Sequence, residues 1–187
     1  MAVFNFSPFP VQVTEDLLLR QVSENDAAQL LELRSNEQVN RYVERKKATS
    51  IEDALAFIDI INKGIAGNEL VYWGIQLKND LKVIGTIGLF NLSAQEDKAE
   101  IGYELLPGYQ GKGLMQQAMT AVIQYGFHIM RLEMIEAWTV KENLASARVL
   151  QKMGFELHDQ AIDTTVSEDA KNDTVMYVLK SPIVAVQ

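Results

Sequence analysis

The chain has 187 residues, a formal net charge of −8 and no cysteine. The absence of thiols excludes disulfides, thiolate metal sites and a cysteine nucleophile, and it fits a reducing compartment, so we expect a cytoplasmic protein. The negative charge argues against direct nucleic-acid binding, and no apolar run reaches the ~20 residues that cross a membrane.

The predicted elements form one domain over residues 1–187, with its core at about 17–180. In chain order, the patterns predict a strand at 17–22, two helices that begin after capping signals at 23–26 and 50–53, strands at 71–77, 83–92 and 99–105, a long buried helix at 113–130, a strand at 134–138, a helix at 144–153 and a strand at 175–179. Gly64 and Gly67 are expected to end the second helix, and the acidic stretch 163–173 is expected to form an exposed hairpin loop. Three consecutive strands indicate an antiparallel meander and the later strand–helix alternation indicates parallel pairing, so we expect an α+β fold with a mixed sheet.

The segment from Glu100 to Met115 is the most informative in the chain, because a strand leads through a glycine-rich loop into the long helix. Backbone N–H groups in such a turn converge on an anion, and the helix dipole adds positive potential there. A P-loop requires a hydroxyl residue where Gly113 stands, and a dinucleotide fingerprint requires a third glycine where Gln116 stands. An ordinary glycine-rich turn before a core helix is the alternative to a phosphate site.

Three segments resemble the motifs of one family, the GNAT acetyltransferases. Residues 110–115, Gln-Gly-Lys-Gly-Leu-Met, resemble the family's pyrophosphate loop, Gln-x-x-Gly-x-Gly/Ala, except that Met115 replaces the usual small residue. Residues 143–155 resemble its Asn-x-x-Ser/Ala…Lys-x-Gly-Phe segment, and residues 99–103 resemble its fourth strand. The resemblance covers about 17–179 and is closest to the Rim-type branch, which acetylates the N-termini of ribosomal proteins.

The resemblance implies the GNAT fold, a single domain whose mixed, mostly antiparallel sheet splays between its fourth and fifth strands, predicted at 99–105 and 134–138. It implies acetyl-CoA as the co-substrate, without a metal, and it places the pantetheine arm in the gap. The residues implied to bind the cofactor are Leu105, through its main chain, the loop residues Gln110, Gly111, Lys112, Gly113, Leu114 and Met115, and Asn143, which either contacts the arm or caps the following helix.

Two carboxylates are candidates for the general base that the implied reaction requires. Glu100 stands where several family members carry a glutamate, and Glu104 lies on the same strand face as the reserve candidate. A solvent-facing strand residue is the alternative role for Glu100. The family's usual acid is a tyrosine, but Leu150 occupies that position here. Ser146, one helical turn earlier, is therefore the candidate that hydrogen-bonds the leaving sulfur, and an exposed helix hydroxyl is the alternative.

The predicted activity is direct transfer of an acetyl group from acetyl-CoA to a primary amine, with a protein or peptide N-terminus as the first expectation. The net charge favours the N-terminus of a basic protein. Open alternatives are an acetyltransferase for a small amine (a polyamine, an amino acid or an aminoglycoside), a transferase for longer acyl groups, and a non-catalytic acyl-CoA-binding module. No membrane partner is expected, and a homodimer is left open. His128 and His158 are expected to be structural or exposed.

Overall fold

The computed structural model describes residues 4–158 and 174–182. Within these residues the chain forms an eight-stranded sheet and four α-helices. The strands are β1 (Gln12–Val13), β2 (Leu17–Arg20), β3 (Val71–Leu77), β4 (Val83–Ser93), β5 (Lys98–Leu105), β6 (Met134–Val140), β7 (Glu156–His158) and β8 (Thr174–Lys180). The helices are α1 (Ala27–Ser35), α2 (Ile51–Ala66), α3 (Leu114–Gln124) and α4 (Leu144–Lys152). None of these helices is long and apolar enough to cross a membrane.

The sheet is mixed and open, with the strand order β1-β2-β3-β4-β5-β6-β8-β7. β5 and β6 run parallel, and every other described pair of neighbours is antiparallel. Pairing between β5 and β6 extends from Lys98 with Met134 to Glu100 with Glu136. Beyond this point the two strands separate. The predicted α+β fold, with a mostly antiparallel sheet that splays between these two strands, is therefore confirmed.

The two faces of the sheet carry different side chains, because successive strand residues point in opposite directions. On one face, Trp73 packs edge-on against Tyr125, which directly follows α3, with ring centroids 5.6 Å apart. Tyr103 lies in the same cross-strand row as Trp73, and on that face it meets α4. On the other face, Tyr72 packs edge-on against Phe57 of α2, with centroids 5.8 Å apart. The sheet thus has an α3/α4 face and an α1/α2 face.

The start of α1 is held by the capping signal predicted at 23–26 and by an ion pair between Asp26 and Arg20. The backbone N–H of Ser23 donates to Asp26 Oδ2 at 2.8 Å, as in a capping box. Both carboxylate oxygens of Asp26 also accept from the guanidinium of Arg20, at 2.7 and 2.8 Å. Burial opposes the charge on Asp26, but the bonds from Arg20 and Ser23 outweigh burial and lower the pKa of the carboxyl.

Three details differ from the sequence-based expectations. Gly64 lies inside α2 rather than at its end, and an added Cβ there would stand 2.9 Å from Leu70 Cδ2, so close packing explains this glycine. The helix predicted over 113–130 is α3 followed by a π-helical turn at Tyr125–Ile129. β1 and β7 are too short to give a periodic sequence signal. The stretch 163–173 lies outside the described residues.

Candidate active site

The loop between β5 and α3 has the backbone geometry of an anion site. Gly111 and Gly113 adopt left-handed conformations, with φ of 75° and 77°, which residues with a Cβ adopt at a cost. Gly113 is the N-cap of α3, and no side chain caps this end. In the part of the chain that the structure describes, the N–H groups of residues 111–116 donate to no protein acceptor. These groups are therefore available to an anion at the positive end of the helix dipole.

The residues of the loop fit the diphosphate of the implied cofactor. A Cβ at Gly111 would meet no atom within 4 Å, so the space beside the loop is open, and a side chain there would fill it. Leu114 and Met115 point into the core, so they offer their N–H groups and Met115 does not crowd the loop. Lys112 is exposed, and its Nζ donates to Gly108 O at 2.9 Å, which leaves its charge at the rim.

The edge of β5 that faces the gap carries main-chain groups beyond the last pair with β6. Gln110 Nε2 donates to Leu105 O at 2.8 Å, so Leu105 turns its carbonyl towards the gap. Because backbone groups alternate in direction along a strand, Ile101 and Tyr103 turn their N–H and C=O groups the same way. The predicted polar edge at Leu105 therefore extends back through Tyr103 to the C=O of Ile101, and the side chain of Gln110 holds the strand end rather than pointing into the loop at 111–116.

A hydrogen bond connects the two sides of the gap on the α3/α4 face. Tyr103 Oη lies 2.8 Å from Ser146 Oγ. Burial raises the pKa of Tyr103 to about 12, against the opposing effect of the bond to Ser146, so the phenol stays protonated near neutral pH. Asn143 Oδ1 accepts from Ser146 N at 3.2 Å, so Asn143 caps α4. Leu150 is buried and can only pack.

Glu100 lies at the point where β5 and β6 separate, in register with Glu136 of β6. Its Oε2 accepts from Asn91 Nδ2 at 2.7 Å. Gly102 is the next residue on the same α1/α2 face, and a Cβ there would stand 2.7 Å from the ring of Phe90. The glycine therefore lets Phe90 lie across β5, where its ring forms an apolar wall beside Glu100.

Glu104, the reserve candidate, is bound through both oxygens. Arg45 Nη2 donates to Glu104 Oε2 at 2.6 Å, and Thr86 Oγ1 donates to Oε1 at 3.2 Å. Tyr72 Oη in turn donates to Thr86 Oγ1 at 2.7 Å. Burial, followed by the negative charge of Glu104, raises the pKa of Tyr72 well above its usual range, so this phenol stays a donor. Both carboxylate oxygens of Glu104 are therefore engaged by other side chains of the protein.

Two arginines above this network, Arg34 at the end of α1 and Arg45 in the following connection, were not identified from the sequence, because basic residues at such positions usually face solvent. The guanidinium of Arg34, in the last turn of α1, lies 3.6 Å from the ring centroid of Phe57. Arg45 Nε donates to Asn40 Oδ1 at 2.7 Å, and Asn40 Nδ2 donates to Arg34 O at 3.0 Å. Asn40 is buried, so it fixes the two arginines relative to each other.

Metal ligands and histidines do not contribute to this arrangement. Among the described residues, no group of three or more His, Cys, Asp or Glu side chains could hold a metal ion. His128 lies in the π-helical turn and His158 ends β7, and both are exposed, as expected from the sequence.

Comparison with known proteins gives a consistent family match. The family model described as an acetyltransferase (GNAT) domain matches residues 16–156. YoaA of Bacillus subtilis strain 168, named as an uncharacterized N-acetyltransferase, is 32% identical over 174 residues, which are 93% of this chain and 98% of the relative. Ribosomal protein uS5-alanine N-acetyltransferase of Escherichia coli K12 is 28% identical over 68% of this chain and 66% of its own. Spermidine N(1)-acetyltransferase of the same strain is 29% identical over 41% of each chain.

Solved structures share the fold over nearly the whole chain. RimL, the ribosomal L7/L12 α-N-protein acetyltransferase in complex with CoA, matches with a TM-score of 0.80 over 92% of this chain and 98% of its own, at 18% identity. At this identity the likeness shows the fold. The relatives therefore agree on acetyl transfer to amines, and they differ in the amine.

Proposed function

We propose a specific reaction for this chain, which belongs to the GNAT acetyltransferase family and is an acyltransferase that acts on amines. The proposed reaction moves the acetyl group of acetyl-CoA directly to a primary amine, the N-terminus of a protein or peptide. The observation that carries the proposal is the gap between β5 and β6, with an anion loop at one end and Glu100 where the strands meet. A binding module without activity would need the loop and the gap but not the polar groups that flank them.

The cofactor part of the proposal uses main-chain groups. When bound, acetyl-CoA would supply an activated thioester. The N–H groups of residues 111–116 would hold its diphosphate, with the dipole of α3 adding to their attraction. The main-chain groups of Tyr103 and the C=O of Ile101, which point into the gap, would bind the amides of the pantetheine arm. Fixing both ends of a long flexible molecule in this way places the carbonyl carbon for attack.

Glu100 is the proposed general base. It would take a proton from the acceptor's ammonium group, directly or through one water molecule, so that the amine lone pair becomes available. Asn91, which donates to Glu100 Oε2, would hold the carboxylate in position. The amine nitrogen would then form a bond to the carbonyl carbon, the carbon–sulfur bond would break, and the second proton of the nitrogen would pass to water, which replaces the proton that water gives to the thiolate. Glu104 has a positioning role in this proposal, because Arg45 and Thr86 already occupy its oxygens.

Ser146 and Tyr103 are the proposed groups at the leaving sulfur. The pKa of Tyr103, about 12, lies far above the ~8.5 of an ordinary thiol. Complete transfer of the phenol proton to the thiolate is therefore unfavourable. In the proposed mechanism the hydroxyl pair stabilises the developing thiolate by a hydrogen bond, and water supplies the proton that the thiol finally carries.

The proposed acceptor is a peptide or protein N-terminus, as for the uS5-alanine N-acetyltransferase among the relatives. The net charge of −8 favours a basic protein as the carrier of that N-terminus. A polyamine is the second candidate, because a spermidine acetyltransferase is also among the relatives.

Initial-rate kinetics of CoA release test the reaction. The chain has no cysteine to carry an acetyl group, so direct transfer requires both substrates to be bound together. Plots against acetyl-CoA at several fixed peptide concentrations should intersect, and acetyl-CoA alone should leave no acetylated enzyme. Parallel lines with a trapped acetyl-enzyme would contradict direct transfer.

An acceptor panel tests the second part of the proposal. Unblocked peptides should be acetylated faster than spermidine and free amino acids, and the same peptides with a blocked N-terminus should not react. A faster rate with spermidine than with every peptide would refute the N-terminal acceptor. A rise in melting temperature with acetyl-CoA, together with no turnover of any amine, would instead support the binding module.

A further inference from the structure

We propose that the acceptor of this site carries a carboxylate close to its reacting N-terminal amine, as an acidic side chain at the second or third residue of a peptide, and that Arg34 binds this carboxylate. The inference rests on the proposed function, because it names the acceptor of the same site. It concerns the first residues of the acceptor, whereas the net charge of this chain concerns the acceptor protein as a whole.

At the Glu104 end of the α1/α2 face of β5, two arginines face one carboxylate. Glu104 interacts electrostatically with both Arg34 and Arg45, but it forms its ion pair with Arg45, at 2.6 Å. In that ion pair, 18% of the Arg45 side chain and 11% of the Glu104 side chain are exposed. The phenol of Tyr72 stays neutral and donates to Thr86. Of these three groups, Arg34 and Arg45 with Glu104, one positive charge is therefore left over at the Glu104 end of β5.

Arg34 is the arginine that carries this unpaired positive charge. Among the described residues its guanidinium forms no hydrogen bond and no ion pair, and its contact is the stacking on Phe57 at 3.6 Å. Burial lowers the pKa of Arg34, and repulsion from Arg45 adds to the decrease, with Glu104 opposing it. An arginine nevertheless keeps its charge in proteins. In this position the guanidinium can donate to a ligand carboxylate through charge-assisted hydrogen bonds, which are stronger than neutral ones.

The position of Arg34 is fixed rather than adaptable. Its ring partner Phe57 packs edge-on against Tyr72 of β3. Its carbonyl accepts from the buried Asn40, which also binds Arg45. A planar guanidinium that is held by stacking keeps its donor edge ready for a carboxylate with little further loss of freedom.

The segment that connects α1 and α2 has a net positive charge, as does Arg34, which is unpaired among the described residues. Residues 36–50 contain four basic side chains and two acidic ones, whereas the whole chain has a net charge of −8. The basic residues are Arg41, Arg45, Lys46 and Lys47, and the acidic ones are Glu37 and Glu44. This connection therefore has a local net charge opposite in sign to that of the protein as a whole, and it would attract an acidic N-terminal segment.

The spacing along β5 favours a peptide over a free amino acid. Glu100 and Glu104 are separated by four strand residues, or about 13 Å at ~3.3 Å per residue. An anion near Arg34, at the Glu104 end, is then roughly 7–13 Å from an amine beside Glu100. A side chain at the second or third position of an extended peptide spans this distance. The α-carboxylate of a free amino acid, separated from its amine by one carbon, does not.

The test compares matched acceptors with four forms of the enzyme. The acceptors are hexapeptides that differ only in Asp or Asn at position two, a second pair that differs in Glu or Gln at position three, free alanine, and spermidine. The enzymes are wild type, Arg34→Met, which keeps a side chain over Phe57, Arg34→Lys, which keeps the charge, and Arg41→Gln. Arg41 stacks on Tyr42, so its loss removes the same charge from the same segment outside the proposed contact.

For the wild type we expect kcat/KM for an acidic peptide to exceed that for its amide partner by about tenfold, the effect of one charge-assisted hydrogen bond. Arg34→Met should abolish this ratio, Arg34→Lys should restore part of it, and Arg41→Gln should leave it unchanged. A thermal shift with acetyl-CoA shows that each variant is folded. The inference would be overturned if the wild type had equal kcat/KM for the acidic and the amide peptide, or if the ratio of the two survived in Arg34→Met. Preference for free alanine or spermidine over the peptides would overturn it as well. Each of these outcomes would leave an active acetyltransferase. Failure of every amine would overturn the proposed function and the inference with it.

Discussion

Replacement of Tyr103 by Phe and Ser146 by Ala, singly and together, tests whether the two hydroxyls act as one unit. Their oxygens are 2.8 Å apart, and both belong to partly buried side chains that flank the gap. If the pair donates one hydrogen bond to the developing thiolate, either single change should lower kcat about tenfold, which corresponds to about 1.4 kcal/mol. The double variant should then also lose about tenfold, because the second change removes an interaction that is already lost. Two independent contributions would multiply to about a hundredfold.

The assay is CoA release at saturating acetyl-CoA and peptide, with the melting temperature of each variant measured in parallel. Both single variants should lose stability by about 1 kcal/mol, the net value of a hydrogen bond, and should retain a thermal shift with acetyl-CoA. Because the pKa of Tyr103 is about 12, its ionisation should cause no fall in kcat below about pH 10. The stability that its raised pKa provides should be complete below pH 10 and lost between about pH 10 and 12. Multiplicative losses, or unchanged kcat in both single variants, would refute a joint role at the sulfur.

Further predictions concern the anion loop, the base and the start of α1. Gly113→Asp should abolish the acetyl-CoA-dependent rise in melting temperature. The control Gly108→Asp places the same charge in the loop at a residue without positive φ, and it should retain at least part of the rise. Equal loss in both variants would show that charge alone causes the effect. Glu100→Gln should lower kcat about a hundredfold near pH 7 with an unchanged thermal shift, and near-normal turnover would remove Glu100 as the base. Asp26→Asn should lower the free energy of unfolding in urea by about 3 kcal/mol, because Arg20 loses its buried partner. Since the pKa of Asp26 is lowered, the contribution of its carboxylate to the free energy of unfolding should be complete above about pH 4 and disappear as the pH falls further. A free energy of unfolding of the wild type that does not change below pH 4 would contradict this prediction.

The parts of the fold with periodic sequence signals were predictable. β3 has the predicted bounds, and the predicted ends of β4, β5 and α4 lie within one residue of the observed ones, because alternation, turn residues and caps all act locally. The glycine-rich loop between β5 and α3 was predictable for the same reason, and its glycines at 111 and 113 adopt left-handed conformations. Gly64 did not, because its cause is contact with Leu70, a residue of the following loop whose approach no helix signal reports.

The site was predictable only where a single segment builds it. Tyr103 and Ser146 are separated by 43 residues, and a tyrosine in an apolar strand is usually a packing residue, so nothing local indicated their bond. Arg45 and Glu104 are 59 residues apart, and their pairing changes the expected role of Glu104. Such pairs depend on sheet register and on how α1 and α2 cross the sheet, which a single sequence does not specify at the level of side chains.

The short junction between β5 and β6 has a mechanical consequence for the whole molecule. Three residue pairs, from Lys98 with Met134 to Glu100 with Glu136, connect strands β1–β5 to strands β6, β8 and β7. The sheet therefore consists of a larger part, β1–β5, and a smaller part, β6, β8 and β7, joined by few backbone pairs. The smaller part should unfold locally at a lower free energy than global unfolding. A molecule bound between the two parts should raise the free energy of this local unfolding by mass action. Amide exchange in β6 and β8 would then report occupancy of the gap without any turnover, even for a substrate analogue that never reacts.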